Sequence, residues 1–474
     1  MRFLPIRMRI ESIALDPLPW IRSLIIVGVL FLSVYLARNA SLTYLGAILG
    51  LGFAAILLRW PRLGLVALVV GTLVAPISIS TGSQTPLNIT VLLIPGLLGI
   101  WLANMIHQRK LHLAPSRTTL PLIALILSAT ISLIAGNAPW NLFARTAPLV
   151  TQIAGWAVFV FAAGTVLLVA NQVNDQRWLQ ILTMLFLAIG GLYIVGRLGI
   201  PGFSELSMLM NQLGSDGSMF WVWLVALAFG QLLFNRKLNR AIQILLGMLV
   251  VSTMYVGFFL ARDWASGWLP PMIALGTIVW FRSWRLGIVI GVIGLVVVLL
   301  VYPNLLTSLL QTQTSAESYS LLTRDVARQI LVQQILPLSP IFGLGPANYY
   351  WYTPLYPILG WYVNFNSHNN YVDIIMQTGL LGLACFFWVI WELGLLGWRL
   401  RKKFSGDFAQ GYLFACLGGL AGTLVSCWLA DWLLPFVYNI GLAGFRASIL
   451  AWFFLGGLVS LEQIARKSEP PKID

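Results

Sequence analysis

The chain has 474 residues, of which 59% are hydrophobic and only 9% charged, where an ordinary soluble domain carries roughly 25% charged residues. A water-soluble fold of this length cannot hide so much apolar surface, whereas lipid solvates it directly. The formal net charge of +14 could suggest a nucleic-acid partner, but the basic residues gather in short segments between apolar runs, which is a topology signal.

Crossing a bilayer takes about 20 mostly apolar residues. On that measure the chain is all-α, a polytopic membrane helix bundle of about 14 transmembrane helices. The spans fall near 20–37, 42–58, 63–80, 86–106, 119–136, 146–170, 178–196, 218–235, 241–260, 267–281, 286–302, 369–397, 410–430 and 445–463. Residues 1–19 lack the apolar core and cleavage site of a signal peptide, so the first run reads as a retained signal anchor. Residues 1–302 hold the first eleven spans, 303–368 form one large loop, and 369–474 hold the last three spans and a tail. Cys385, Cys416 and Cys427 all fall inside spans and imply no loop disulfide.

Loop charge sets the orientation. With both termini in the cytoplasm, the alternation puts 22 of the 29 Lys and Arg residues inside and 7 outside, as the positive-inside tendency requires. The seven outer ones are Arg38, Arg145, Arg197, Arg262, Arg324, Arg328 and Arg446.

Two outer segments are long, 197–217 and 303–368. The second is rich in apolar and aromatic residues and is therefore not disorder-like. It predicts a short helix with Thr323 as N-cap, Asp325 in the first turn and an apolar stripe of Leu322, Val326 and Ile330, ended by Pro337 and Pro340. The loop is expected to fold back on the membrane surface.

Of three histidines, His107 and His112 lie in a basic inner loop and His368 lies at the outer start of span 12. Imidazole suits proton transfer near neutral pH; a polar residue ending a helix at the interface is the plainer alternative. Arg324 and Arg328, four apart, share a helix face, and Arg262 follows span 9. A guanidinium fork matches phosphate oxygens and stays charged. Local pairing of Arg262 with Asp263, or of Arg324 with Asp325 or lipid phosphate, is the competing explanation. The aromatic residues between Tyr349 and Tyr371 offer faces for sugar rings, or else form a belt at headgroup level.

No Walker loop, dinucleotide fingerprint or zinc-ligand cluster is present, so no cofactor and no metal is expected. No two acidic residues are expected to meet at a catalytic depth, Asp373 and Asp431 lying near outer span ends. The shortage of mid-span ionisable groups speaks against an ion-coupled transporter.

His368-Asn369, nine residues, then Gly379-Leu380-Leu381-Gly382 resembles the His-Asn-x9-Gly-x-x-Gly signature of the O-antigen ligase and O-antigen polymerase superfamily. Arg324 followed by Pro340-Ile341-Phe342-Gly343-Leu344-Gly345 is similar to that family's Arg…Pro-x-x-Gly-x-Gly segment in a large periplasmic loop. Arg262 takes the place of an earlier family arginine, with Ala261 where the family has Ser. The resemblance covers about 260–385. It implies a bacterial inner-membrane glycosyltransferase with its site on the periplasmic face, taking a glycan from a polyprenyl diphosphate carrier. The acceptor is lipid A–core or another carrier-linked glycan. With that chemistry, Arg324 and Arg262 are expected to hold the diphosphate, with Arg328 as a further candidate, and His368 to act as general base on the acceptor hydroxyl or to orient it; Asn369, Gly379 and Gly382 support the signature. Gly379 and Gly382 are expected to let span 12 pack closely on a neighbour. The partners implied are the lipid-linked glycan, the glycan or lipid acceptor and the bilayer, with no nucleic acid. A small-solute or bicarbonate transporter is the alternative from another class, since some homologues carry that description, and a non-catalytic envelope scaffold is a third.

Overall fold

The computed structural model describes residues 56–79, 87–110, 113–210, 214–261, 264–301 and 316–468, together with positions 27 and 52. The chain divides into two compact units, Met1–Trp60 and Pro61–Asp474. The expected spans at 20–37 and 42–58 belong to the first unit and lie almost wholly outside the described residues.

In the second unit each of the remaining twelve expected spans coincides with one helix. These are α1 (Pro61–Val74), α2 (Ile89–His107), α3 (Thr119–Ala135), α4 (Leu149–Gln172), α5 (Gln176–Arg197), α7 (Ser218–Phe234), α8 (Arg240–Tyr255), α9 (Ala265–Arg282), α10 (Trp284–Val301), α13 (Asn370–Leu400), α14 (Phe408–Leu429) and α15 (Gly441–Ser468). Seven described helices are long and apolar enough to cross a membrane. The chain is thus an all-α polytopic bundle. Three shorter helices sit in the outer segments: α6 (Ser204–Met210), α11 (Ala316–Ile330) and α12 (Tyr349–Tyr352). The strands described are the two-residue β1 (Ser78–Ile79) and β2 (Leu87–Asn88), paired antiparallel.

Helix starts follow local chemistry. Asn88, Asp175, Asn239, Asn369 and Asp407 each precede a helix, and each side-chain oxygen accepts a backbone N–H of the first turn. Those donors have no partner inside the helix, and a short polar side chain supplies one.

At the bundle centre α14 lies against α7 and α9, while α15 lies against α4 and α3 against α13. Small residues set these distances. A Cβ on Gly230 would come 2.5 Å from the Gly411 carbonyl oxygen, and one on Gly418 would come 2.5 Å from Ile278. Contact that close trades side chains for backbone packing, the usual means of helix association where lipid offers no hydrophobic drive. Trp223 and Trp452 are the largest side chains buried there, and Trp223 stacks on Phe454 with centroids 5.6 Å apart.

The large loop departs from expectation in two respects. Helix α11 already includes Ala316, so Thr323 lies inside it and not at its N-cap. Residues 316–322 include Ala, Glu and two leucines, which sustain helix without a cap at Thr323. The helix continues through a π turn, Leu331–Ile335, into a 3-10 turn, Leu336–Leu338, before Pro340. Secondly, the loop has a core of its own. Ala327, Ile330, Leu331, Ile335, Leu344, Tyr349 and Tyr352 bury together with Met376 and Phe436. Leu322, at the start of the expected stripe, stays exposed.

Candidate active site

Outer denotes the end of the bundle that carries the 316–368 loop. Its central feature is a helix that opens to admit the loop. Within α13, Gly379 adopts φ +67° and ψ −170°, which breaks the helix. The broken backbone pairs instead with the loop. The Leu344 and Gly345 N–H groups donate to the carbonyls of Met376 and Gln377 at 2.9 and 3.0 Å. Leu380 and Leu381 donate back to Pro340 and Ile341 at 2.8 and 3.1 Å.

That exchange requires glycine on both sides. A Cβ on Gly343 (φ +70°) would meet the Gly379 nitrogen at 2.5 Å, and one on Gly379 would meet the Ile341 carbonyl oxygen. L side chains rarely tolerate such φ values even without a clash. The close neighbour expected for Gly379 is therefore the loop segment 340–345, whereas a Cβ on Gly382 would meet the Thr378 side chain of the same helix. Asn348 fixes the far side: its Nδ2 donates to the Gly136 and Leu344 carbonyls at 2.9 Å each, and its Oδ1 accepts the Ala147 N–H at 2.9 Å.

Once docked, the loop delivers the signature histidine. His368 itself has φ +48°, a strained value for a residue with a Cβ, held by its neighbours. The Asn366 Oδ1 accepts the His368 N–H at 3.2 Å. Ser367 Oγ donates to Asp373 Oδ1 at 2.7 Å, and Tyr349 OH donates to the same oxygen. Asn369 caps α13, and its Nδ2 donates to the Trp428 carbonyl at 3.0 Å. Asn370 ties the start of α13 to the turn after α14, through Leu433 N–H and the Leu434 carbonyl.

Arg324 and Arg328, on α11, lie close enough to the imidazole to act on it electrostatically. Burial lowers the His368 pKa to about 4, and the positive charges of Arg324 and then Arg328 add to the effect. The ring is therefore neutral near pH 7. Arg328 Nε donates to the Ser367 carbonyl at 3.4 Å, and its guanidinium lies 6.0 Å from the Trp428 ring centroid. Asp325 accepts from Gln329 at 3.0 Å. Arg262 lies outside the described residues, as do Asp263 and His112. Trp264, two residues on from Arg262, packs edge-on to Trp432 at 6.2 Å, next in sequence to Asp431.

The expectation that no two acids meet is corrected. Asp373 and Asp431 are both buried and close enough to interact electrostatically. They are 58 positions apart, and no local pattern reports a meeting between separate helix ends. Burial pushes Asp431 up to about 6, against hydrogen bonds from Phe436 N–H and Asn439 that favour its ionised form. Asn439 Nδ2 lies 2.5 Å from Asp431 Oδ1 and 3.2 Å from His368 Nδ1. Sequence reasoning missed Asn439, Ser367 and Asn348, and offered Tyr349 only as a ring for sugar or for the belt. The only available signal was a run of polar residues between apolar helices, and it does not say which of them touch.

The aromatic stretch divides. Tyr349 stacks on Phe436 and Tyr350 on Tyr438, both at 4.5 Å, and Tyr371 stacks on Phe387 at 5.8 Å. Trp361 and Tyr362 are exposed. Most of these rings therefore build the loop core, and these two remain for a partner or the interface.

An apolar groove of about 600 Å³ runs between α13 and α14, lined by Phe387, Trp388, Trp391, Leu420 and Leu424 among others. Tyr371 stacks on Phe387 and donates to the Leu424 carbonyl at 2.8 Å, and Trp428 is one turn further out along α14. The groove thus points toward the residue over which Arg328 lies.

The fold and this cluster define a polytopic membrane protein whose long outer loop, docked into a broken helix, places a neutral histidine beside two arginines. A family model described as O-antigen ligase matches residues 253–387. The match supports an O-antigen ligase/polymerase-like membrane glycosyltransferase family, and the segment holds every candidate residue named from the sequence. No curated protein matches the chain.

Proposed function

We propose that this protein is a bacterial inner-membrane glycosyltransferase that moves a glycan from a polyprenyl diphosphate carrier to a hydroxyl acceptor. The acceptor is lipid A–core or a second carrier-linked glycan, the transfer is metal-independent and inverting, and the site faces the periplasm with both termini cytoplasmic. The observation that carries this reading is the convergence of His368, Arg324 and Arg328 at the outer end of an apolar groove. A lipid diphosphate has that same division, an apolar tail joined to a compact anion.

In the transfer, the acceptor hydroxyl oxygen forms a bond to the anomeric carbon as the bond from that carbon to the diphosphate oxygen breaks. The electron pair leaves with the diphosphate. Attack opposite the leaving group inverts the anomeric centre. Arg324 and Arg328, together with Arg262, hold the diphosphate and stabilise its growing charge. His368 acts on the acceptor hydroxyl, either accepting its proton or orienting it while the proton passes to the departing diphosphate. With the arginines uncompensated, the imidazole is a weak base; an anion bound between them offsets their effect and raises its basicity. The diphosphate is already a good leaving group, so positioning and charge stabilisation account for most of the rate.

The test is transfer by the purified full-length protein in lipid nanodiscs, given a polyprenyl diphosphate-linked glycan and a hydroxyl acceptor. Transfer with release of polyprenyl diphosphate is expected. Arg324→Lys keeps the charge but loses the fork; a rate equal to wild type would overturn bidentate phosphate binding. Solute flux in proteoliposomes with no dependence on lipid-linked glycan would overturn the whole reading in favour of transport.

A further inference from the structure

The interior of the site holds a bridge for which the transfer scheme gives no role. His368 Nδ1 faces Asn439 Nδ2 at 3.2 Å, and the same amide nitrogen is hydrogen-bonded to Asp431 Oδ1. Asp431 is fully buried, and its other oxygen accepts the Phe436 N–H at 2.9 Å. We propose that Asn439 is a positioning residue that decides which ring nitrogen of His368 carries the proton, with Asp431 fixing the direction of the Asn439 amide. The inference rests on His368 being the group that meets the acceptor.

The argument is a count of donors and acceptors. An ionised carboxylate only accepts, so Asn439 must turn its NH₂, not its carbonyl, toward Asp431. That nitrogen has two hydrogens, and the second points to His368 Nδ1. Nδ1 receives it only through its lone pair, so the proton of the neutral ring is on Nε2. His368 therefore offers the site an N–H donor. It orients an acceptor oxygen through Nε2–H and is not, in this arrangement, set to abstract a proton there. Asp431, at about 6, remains mostly ionised at neutral pH. The backbone of His368 is pinned by Asn366 and by the capped start of α13, so the ring has little freedom to escape the bridge.

The same count shows how to reverse it. In Asp431→Asn the new amide must keep its oxygen on the Phe436 N–H, so it turns its NH₂ toward Asn439. Asn439 then presents its carbonyl to both neighbours, and His368 Nδ1 has to donate. The proton moves to Nδ1 and leaves Nε2 bare.

The experiment is ¹⁵N NMR of the full-length protein in nanodiscs with ring-labelled histidine at pH 7.5. Only three histidines are present, so His368→Gln assigns the signal. Wild type should show an unprotonated, pyridine-type Nδ1 and a protonated Nε2. Asp431→Asn should exchange the two, and Asn439→Ala should give a mixture. A protonated Nδ1 in wild type overturns the proposal without recourse to any variant, and so does an unchanged tautomer in a folded Asp431→Asn protein. As an activity readout, Asp431→Asn should lower kcat at least tenfold with the KM for the lipid donor unchanged. The two readings fail separately. The expected tautomer in a protein that transfers no glycan sustains the bridge and refutes the function, whereas active wild type with a protonated Nδ1 refutes the bridge alone.

Discussion

The centre of the bundle and its outer rim are held together by different forces. Around α7, α9 and α14 the contacts are mainly apolar, with a buried hydrogen bond from Gln231 Nε2 to the Phe408 carbonyl at 3.0 Å and glycines such as Gly230 and Gly418 bringing helices to within a side chain of each other's backbone. At the rim the joints are side-chain hydrogen bonds: Asn348 to α3 and its following loop, Asn370 to the turn after α14, Ser367 and Tyr349 to Asp373, Asn439 to Asp431. Packing fixes distance but is tolerant of sequence, since many apolar sets fill the same space. A satisfied polar network fixes orientation, because each donor must meet its acceptor. A site that acts by positioning needs the second kind of construction. The comparison therefore predicts that changes at the centre lower stability, while changes at the rim lower turnover.

The largest effect should come where the two meet. Gly379→Ala puts a Cβ against the Ile341 carbonyl at a φ that alanine resists, which should destabilise the docked loop by at least about 2 kcal/mol. Transfer should fall to background, and limited proteolysis should cut the loop while the bundle stays intact; an active, protease-resistant variant would break the account of the docked loop. Asn348→Ala, which strands the Gly136 carbonyl and the Ala147 N–H, should destabilise by about 1–3 kcal/mol and lower kcat as well, read by thermal unfolding and initial rates. Gly418→Val overpacks the centre against Ile278 and should lower stability by about 1–3 kcal/mol. The rate per folded molecule should be unchanged, and a drop in that rate would blur the distinction between centre and rim.

The smallest effect is in pH. With the His368 pKa at about 4 in the free protein, the neutral ring persists well below the pH at which an unperturbed histidine, near 6.5, would be charged. Its acid limb in kcat/KM should lie below pH 5, since protonation removes the neutral form only near that value. A bound diphosphate offsets Arg324 and Arg328, so the His368 limb in kcat should lie at higher pH than in kcat/KM. Profiles compared with His368→Gln isolate this limb. Coincident limbs would mean that the arginines do not meet the diphosphate.

Much of the fold was legible because span length and loop charge are local properties. Twelve expected spans fall on twelve helices, and the Asn369 cap is a residue whose side chain reaches its own first turn. The Pro-x-x-Gly-x-Gly and Gly-x-x-Gly segments could be read as sites of close approach, but not as partners in one backbone exchange. Each glycine licenses an unusual φ without naming what comes near. Helix α11 runs on both sides of Thr323 because the favourable helix formers before it need no cap at that point. The Asp373 and Asp431 meeting and the Asn439 bridge were illegible for a plainer reason. They join the ends of separate helices, and hydropathy periodicity has nothing to say about which ends meet.

The most direct measurement is the initial transfer rate of purified wild type and His368→Ala on a polyprenyl diphosphate-linked glycan at saturating donor, with thermal unfolding of both. The account predicts a fall of at least about 10²-fold in rate with little change in unfolding temperature, since truncation removes the ring's contact with Asn439 and keeps the backbone bond to Asn366. An alanine variant that turns over at the wild-type rate would contradict it.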